Sequence, residues 1–242
     1  MKVLAYIPLH YGCEYLDAAI RAVDPFVDKI MVLYVEQPSQ GQAAILPCPE
    51  SEEQLKDIAF GASKKIEWHN CKFGNEGAHR GYVYTYSQEY DLVFTFDCDE
   101  VFEPNDLPKS FELAMSSTKR YIGIGGYINF WRSFNFACHD GFTPIRITNL
   151  HNESGEEVVP CRVYHFSTAQ KEETIRYKMG VSGHASEIRA NWLEEIYLGW
   201  SPENNYTDLH PVAHGIWNAT AFDRNTLPEI LKQHPNFNKA VI

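Results

Sequence analysis

The run Leu92-Val93-Phe94-Thr95-Phe96-Asp97-Cys98-Asp99-Glu100 is apolar, rich in strand-formers, and ends abruptly in acid. Alternation along an extended chain puts Asp97 and Asp99 on one side and Glu100 on the other. Like charges gathered at the end of a buried strand repel each other and lose hydration, so they are costly without a cation between them. A divalent metal with oxygen ligands, itself holding a phosphorylated substrate, is one explanation; a strand running into a solvated acidic loop is the other. A second apolar run, Lys29–Glu36, also ends in acid, at Glu36.

Position depends on the elements around these acids. Val3–Pro8 reads as a strand, and Glu14–Val23 as a helix with Leu16, Ile20 and Val23 on one face. The strand Lys29–Glu36 is followed by a Pro- and Gly-containing loop over Gln37–Glu50, read as mobile. Ser51-Glu52-Glu53-Gln54 has the pattern of a capping box and opens a helix. A strand at Lys65–Cys71 and a helix across Gly77–Glu89 precede the strand into Asp97. Such alternation predicts a mostly parallel sheet flanked by helices. Ligands gather at the carboxyl ends of strands in these sheets, and Pro8, Glu36 and Asp97 all fall there.

The pattern changes near residue 105, so the chain divides into portions 1–105 and 106–242 of one compact domain. Tyr121–Trp131 and Phe142–Leu150 read as strands, and Glu156–Phe166 as a hairpin-like piece. Gln170–Met179 and Ala185–Tyr197 read as helices, with a short one near Leu227–His234. Composition sets the chemistry. Net charge is −11, which disfavours nucleic acid and anionic lipid as nonspecific partners. It also means that a phosphorylated ligand needs local neutralisation. The 6 cysteines contain no C-x-x-C pair, which argues against a zinc knuckle and for free thiols in a reducing compartment. The apolar run at Met1–Pro8 is too short for a signal peptide, and the triplets at Asn152, Asn205 and Asn218 read as chance. A cytoplasmic protein is the expectation.

Several motifs, in their order, resemble the metal-dependent glycosyltransferases of the GT-A fold, the family-2-like group. Ala5-Tyr6-Ile7-Pro8-Leu9-His10-Tyr11-Gly12-Cys13-Glu14-Tyr15-Leu16 resembles that family's first strand, loop and helix start. Ala22–Ile30 resembles its helix, short turn and second strand. Gly74-Asn75-Glu76-Gly77-Ala78-His79-Arg80-Gly81 stands where the family has a Gly- and Arg-containing helix start near the nucleotide, and Asp97-Cys98-Asp99 matches its Asp-x-Asp. Tyr127–Trp131 with Pro144-Ile145-Arg146-Ile147, and Tyr164-His165-Phe166 with Lys171 and Lys178 downstream, resemble a subgroup pattern. The likeness covers most of residues 1–180. Cys98 is an unusual middle residue, and the last sixty positions match nothing in the pattern.

The resemblance implies transfer of a hexose or pentose from a nucleotide-diphosphate sugar, with Mn²⁺ or Mg²⁺ stabilising the departing diphosphate. It implies Asp97, Asp99 and His165 as the metal set, with His184 and His214 in reserve. Pro8, Glu36, Arg80, Asp97, Lys171 and Lys178 would contact the donor. Inversion at the sugar carbon requires a carboxylate base, and Asp140 is the candidate, set against the ordinary use of Asp-Gly as a turn. The acceptor could be a glycan, a small molecule or a modified nucleobase, with charge counting against nucleic acid. Two rivals remain open: a nucleotidyltransferase on a similar sheet, which normally has a Gly-rich basic loop after the first strand, and a noncatalytic carbohydrate-binding relative.

Overall fold

Val3, Ala5, Ile7 and Leu9 alternate with Leu4 and Tyr6, and both sets are fully buried. A strand with apolar side chains on both faces must be covered on both. The computed structural model describes residues 1–38, 44–73, 75–204 and 207–241 and meets that requirement. Its first half comprises β1 (Val3–Leu9), α1 (Cys13–Val23), β2 (Lys29–Tyr34), α2 (Glu52–Ala62), β3 (Ile66–Asn70), α3 (Glu76–Gly81) and β4 (Leu92–Thr95). There follow β5 (Glu100–Phe102), α4 (Leu107–Ser116), β6 (Tyr121–Trp131), β7 (Phe136–Cys138), β8 (Ile145–Asn149), β9 (Glu156–Thr168), α5 (Glu172–Val181), β10 (Thr220–Ala221) and α6 (Glu229–Lys232).

One sheet runs β3-β2-β1-β4-β8-β6, with β9 on the far edge of β6 and β5 on β9. β7 joins β6 beyond β8, and β10 pairs with β7. The sheet is mostly parallel: β1, β2, β3, β4, β6 and β9 run one way, with β5, β7 and β8 opposed. On one face α1 and α2 pack over Val3, Ile7, Ile30 and Val32, and α4 packs on β8 and β9. On the other, Leu4, Tyr6, Met31 and Leu33 are covered by Val83, with Phe73, Tyr82 and Tyr90 around it. A separate aromatic core gathers Trp131, Trp192, Tyr197, Trp200 and Trp217. Among the described residues no helix is long and apolar enough to cross a membrane.

Local chemistry explains where expectation and structure part. The capping box at Ser51 forms in full: its hydroxyl accepts from Gln54 N while Gln54 Oε1 accepts from Ser51 N. The expected helix Gly77–Glu89 stops at Gly81 and continues as single turns over Tyr82–Thr85 and Ser87–Glu89. Two glycines and the run Tyr82-Val83-Tyr84-Thr85-Tyr86 are poor helix formers. The expected hairpin Glu156–Phe166 is instead one long strand, β9, parallel to β6. The pairing slips at Gly126, whose φ of +112° suits glycine and where a Cβ would lie 2.6 Å from the Cys161 carbonyl. The expected helix Ala185–Tyr197 is a turn at Ala185–Glu187 and a π-helix over Trp192–Leu198, separated by Asn191 at φ 57°. The helix near Leu227–His234 is shortened to α6, since Pro235 disfavours helical geometry at His234. The motif residue Gly74, Asn205 of the glycosylation triplet and positions 39–43 of the expected loop lie outside the described residues.

Long-range contacts clasp the start of α1. Glu14 accepts from Lys171 N at 2.6 Å and from Asn236 Nδ2 at 3.1 Å, and its carbonyl meets His234 Nε2 at 2.7 Å. The ring of Tyr15 stacks on Phe166 at 4.1 Å and on His234 at 4.5 Å.

Candidate active site

After β4 the chain turns tightly. Glu100 N donates to the Asp97 carbonyl, and Asp97 N donates to Glu100 Oε2 at 3.2 Å. The turn is held between strands, because Phe96 N bonds to Tyr6 O of β1 and Phe166 N of β9 bonds to Asp99 O. β9, antiparallel to β5, therefore brings His165 beside the acids, opposite Glu100 in register.

Asp97 and Glu100 share one arginine. Arg146 Nη2 donates to Asp97 Oδ2 at 2.8 Å and also to Glu100 Oε1, while Arg80 Nη2 reaches Asp97 Oδ1 at 3.3 Å. Burial pushes the Asp97 carboxyl up, but Arg146 and then Arg80 outweigh it and hold its pKa at about 2. Glu100, 1% exposed, also accepts from Tyr127 OH at 3.0 Å. Asp99 has a separate set of partners: Gln170 Nε2 at 3.1 Å and Lys178 Nζ at 3.3 Å, both on Oδ2. Its Oδ1 faces His165 Nε2 at 3.7 Å.

The loop between β1 and α1 closes one wall. Gly12 has φ +111°, and a side chain there would collide with Cys98 Sγ. Cys98 Sγ in turn donates to Tyr11 O at 3.2 Å. Buried Glu50 accepts from Gly12 N at 3.2 Å and from Cys13 Sγ at 3.3 Å, just where α1 begins. His10 bridges Val35 O and Tyr177 OH, at 2.7 and 2.6 Å. Together these elements enclose a cavity of about 510 Å³ at the carboxyl ends of β1 and β4.

Pro8, Arg80, Asp97, Asp99, His165 and Lys178 all line this cavity, as does His184. Glu36 and Lys171 are exposed and do not line it; Lys171 instead caps α5 and gives its backbone N–H to Glu14. His214 pairs with Asp208, elsewhere. Asp140 does not line the cavity either. Its Oδ2 accepts from Trp217 Nε1 at 2.7 Å and Asn129 Nδ2 at 3.3 Å, and its Oδ1 from Phe142 N at 2.9 Å. That placement makes it a turn and anchoring group. The expected metal set of Asp97, Asp99 and His165 lines the cavity together. Both Asp97 oxygens are taken by arginines, and among the described residues no three His, Cys, Asp or Glu side chains converge as ligands. Asp99 and His165 remain as two facing donors.

Sequence reasoning missed Glu100 and Arg146 as parts of the site, and Gln170, His10 and Glu50 entirely. Arg146 and Asp97 are 49 positions apart, so no local pattern joins them. The one available signal was Arg146 itself, a charge between two isoleucines in a strand.

No family model matches this chain, and neither does any curated protein. Among solved structures, it is similar to 4-diphosphocytidyl-2C-methyl-D-erythritol synthase from Anaerococcus prevotii, at 10% identity and a TM-score of 0.46, over 73% of this chain and 94% of that one. It is also similar to a mycobacterial protein, at 13% identity and a TM-score of 0.38, over 53% and 41% of the two chains. A third, S. aureus TarS 1-349 in complex with UDP, shares 15% identity with a TM-score of 0.36, over 52% and 36%.

Proposed function

We propose that this chain is a metal-dependent glycosyltransferase of GT-A architecture that uses a nucleotide-diphosphate sugar. The observation that carries the reading is the cavity at the strand ends, where Asp99 Oδ1 and His165 Nε2 face each other across 3.7 Å beside Arg80 and Lys178. Two donors at that separation suit a divalent ion whose other positions are filled by water and a diphosphate. Charge supports the same conclusion. Histidines aside, the cavity sets Arg80 and Lys178 against Glu76, Asp97 and Asp99, so an entering diphosphate requires further positive charge. Asp99 and His165 would hold Mn²⁺ or Mg²⁺, the imidazole favouring Mn²⁺, and the bound ion would supply Lewis-acid stabilisation of the leaving diphosphate.

The chain's own groups do the rest. Asp97 and Glu76 aim the Arg80 guanidinium from either side, leaving it at the cavity wall to meet a phosphate. Lys178 is anchored by Ser167 Oγ at 2.8 Å and can turn from Asp99 to phosphate oxygen. Pro8 shapes the nucleotide side, and Glu36 and Lys171 lie outside that contact set. The nucleotidyltransferase alternative is disfavoured by Glu50, whose carboxylate occupies the start of α1, where a phosphate-cradling loop would place its anion.

The test is thermal stabilisation by uridine or guanosine diphosphate with Mn²⁺, Mg²⁺ or excess EDTA, followed by donor hydrolysis without acceptor. Stabilisation only with metal, plus slow release of sugar, is expected. Equal stabilisation in EDTA sinks the metal bridge, and binding without turnover of any donor favours a noncatalytic carbohydrate-binding relative.

A further inference from the structure

A chain of hydrogen bonds runs into the cavity from a part of the molecule that does not line it. Trp217 Nε1 can only donate, and it donates to Asp140 Oδ2 at 2.7 Å. The same carboxylate oxygen faces Asn129 Nδ2 at 3.3 Å. An ionised carboxylate only accepts, so the amide of Asn129 must present its NH₂ group there and its Oδ1 on the opposite side. That Oδ1 lies 2.7 Å from His165 Nδ1. The pairing is built into the sheet: Asn129 of β6 stands directly beside His165 of β9, and Asn129 is only 4% exposed.

We propose that Asp140 and Asn129 are positioning residues that keep a proton on Nδ1 of the His165 ring and turn its Nε2 toward Asp99. The direction of each step follows from donor and acceptor chemistry, with no freedom to reverse the amide once Asp140 is charged. It also gives the segment carrying Trp217 a part in the site, since that indole occupies the carboxylate that orients Asn129. The consequence for a cation at Asp99 and His165 rests on the proposed function; the tautomer does not.

The experiment labels the histidines of the full chain with ¹⁵N and reads the ring nitrogens at neutral pH without metal or nucleotide, with His165→Gln assigning the signal. The wild-type protein is expected to carry the proton on Nδ1. Asn129→Leu removes the acceptor, and Asp140→Ala frees the amide to rotate. Each should abolish that preference while the other histidine signals stay in place. Each should also weaken Mn²⁺ binding, followed by electron paramagnetic resonance, roughly tenfold or more. Two variants are used so that unfolding of one leaves the other to decide. A wild-type proton on Nε2 alone, or a tautomer unmoved by a folded variant, overturns the proposal. The expected tautomer, lost in the variants, in a protein that binds no Mn²⁺ upholds the positioning and overturns the metal-dependent function instead.

Discussion

Arg146 Nη2 touches both Asp97 and Glu100, and the Arg146 side chain is only 11% exposed. Replacing it with Met removes the cation and leaves two carboxylates without their main partner. Loss of one partner from a buried ion pair costs about 3–5 kcal/mol. Arg146→Met should therefore unfold at markedly lower urea, and a loss of unfolding free energy of only a few tenths of a kcal/mol would contradict the arrangement. Asp97 adds a pH signature. Its folded pKa of about 2 is below the unfolded value, so its contribution is present above about pH 4 and lost as pH falls through 2. The size is about 2 kcal/mol, and Asp97→Asn should flatten that acid limb of the stability curve. Asp99 and His165 predict a different result, read in turnover. If both hold one ion, Asp99→Asn combined with His165→Ala should be little worse than Asp99→Asn alone, whereas independent sites would multiply their losses.

At the scale of elements, the joint between β1 and α1 fits only because position 12 has no side chain. Gly12→Ala meets both a left-handed backbone angle and Cys98 Sγ. It should cost roughly 2 kcal/mol or more, of which Cys98→Ala recovers the steric part and leaves the backbone part, about 1 kcal/mol. Equal cost in both backgrounds would show that the thiol contact is irrelevant. This joint also marks the limit of what the chain discloses. The apolar strands, the amphipathic α1 and the capping box at Ser51 were legible, because period and cap chemistry are local. So was the gathering of Pro8 and Asp97, which follows from strand direction alone. The aromatic run after Gly81 was misread because its residues are poor helix formers and only Val83 among positions 82–86 is buried. The counterions of the acids were invisible, since Arg146 reaches Asp97 through strand pairing between β4 and β8. Cys98, odd as a motif residue, became intelligible only once Gly12 was seen lying on it.

Across the whole molecule, four imidazoles share one electrostatic cost. Burial pushes His10, His79, His210 and His234 below the ordinary histidine value, more than their hydrogen bonds and neighbouring acids pull them back. The unfolded chain therefore binds more protons than the folded one below about pH 6.5, and stability is full above that value and falls on acidification. Melting temperature should drop between pH 7 and pH 5, well above the range in which Asp97 titrates. A flat profile there would mean that these rings titrate freely in the folded protein. The clasp at α1 has a further consequence, in time rather than in energy. His234 and Asn236 meet Glu14 across 220 and 222 positions. At ribosomal speed, about 5–20 residues per second, Glu14 and the face of Tyr15 wait roughly 10 to 40 s for those partners to be made. During that interval the nascent chain can pair β1 with β2, yet it has to expose the aromatic ring that His234 will cover. Arrested chains should stay protease-sensitive near α1 until residue 236 clears the exit tunnel, and a chain protected at α1 before that point would show that the clasp is dispensable there.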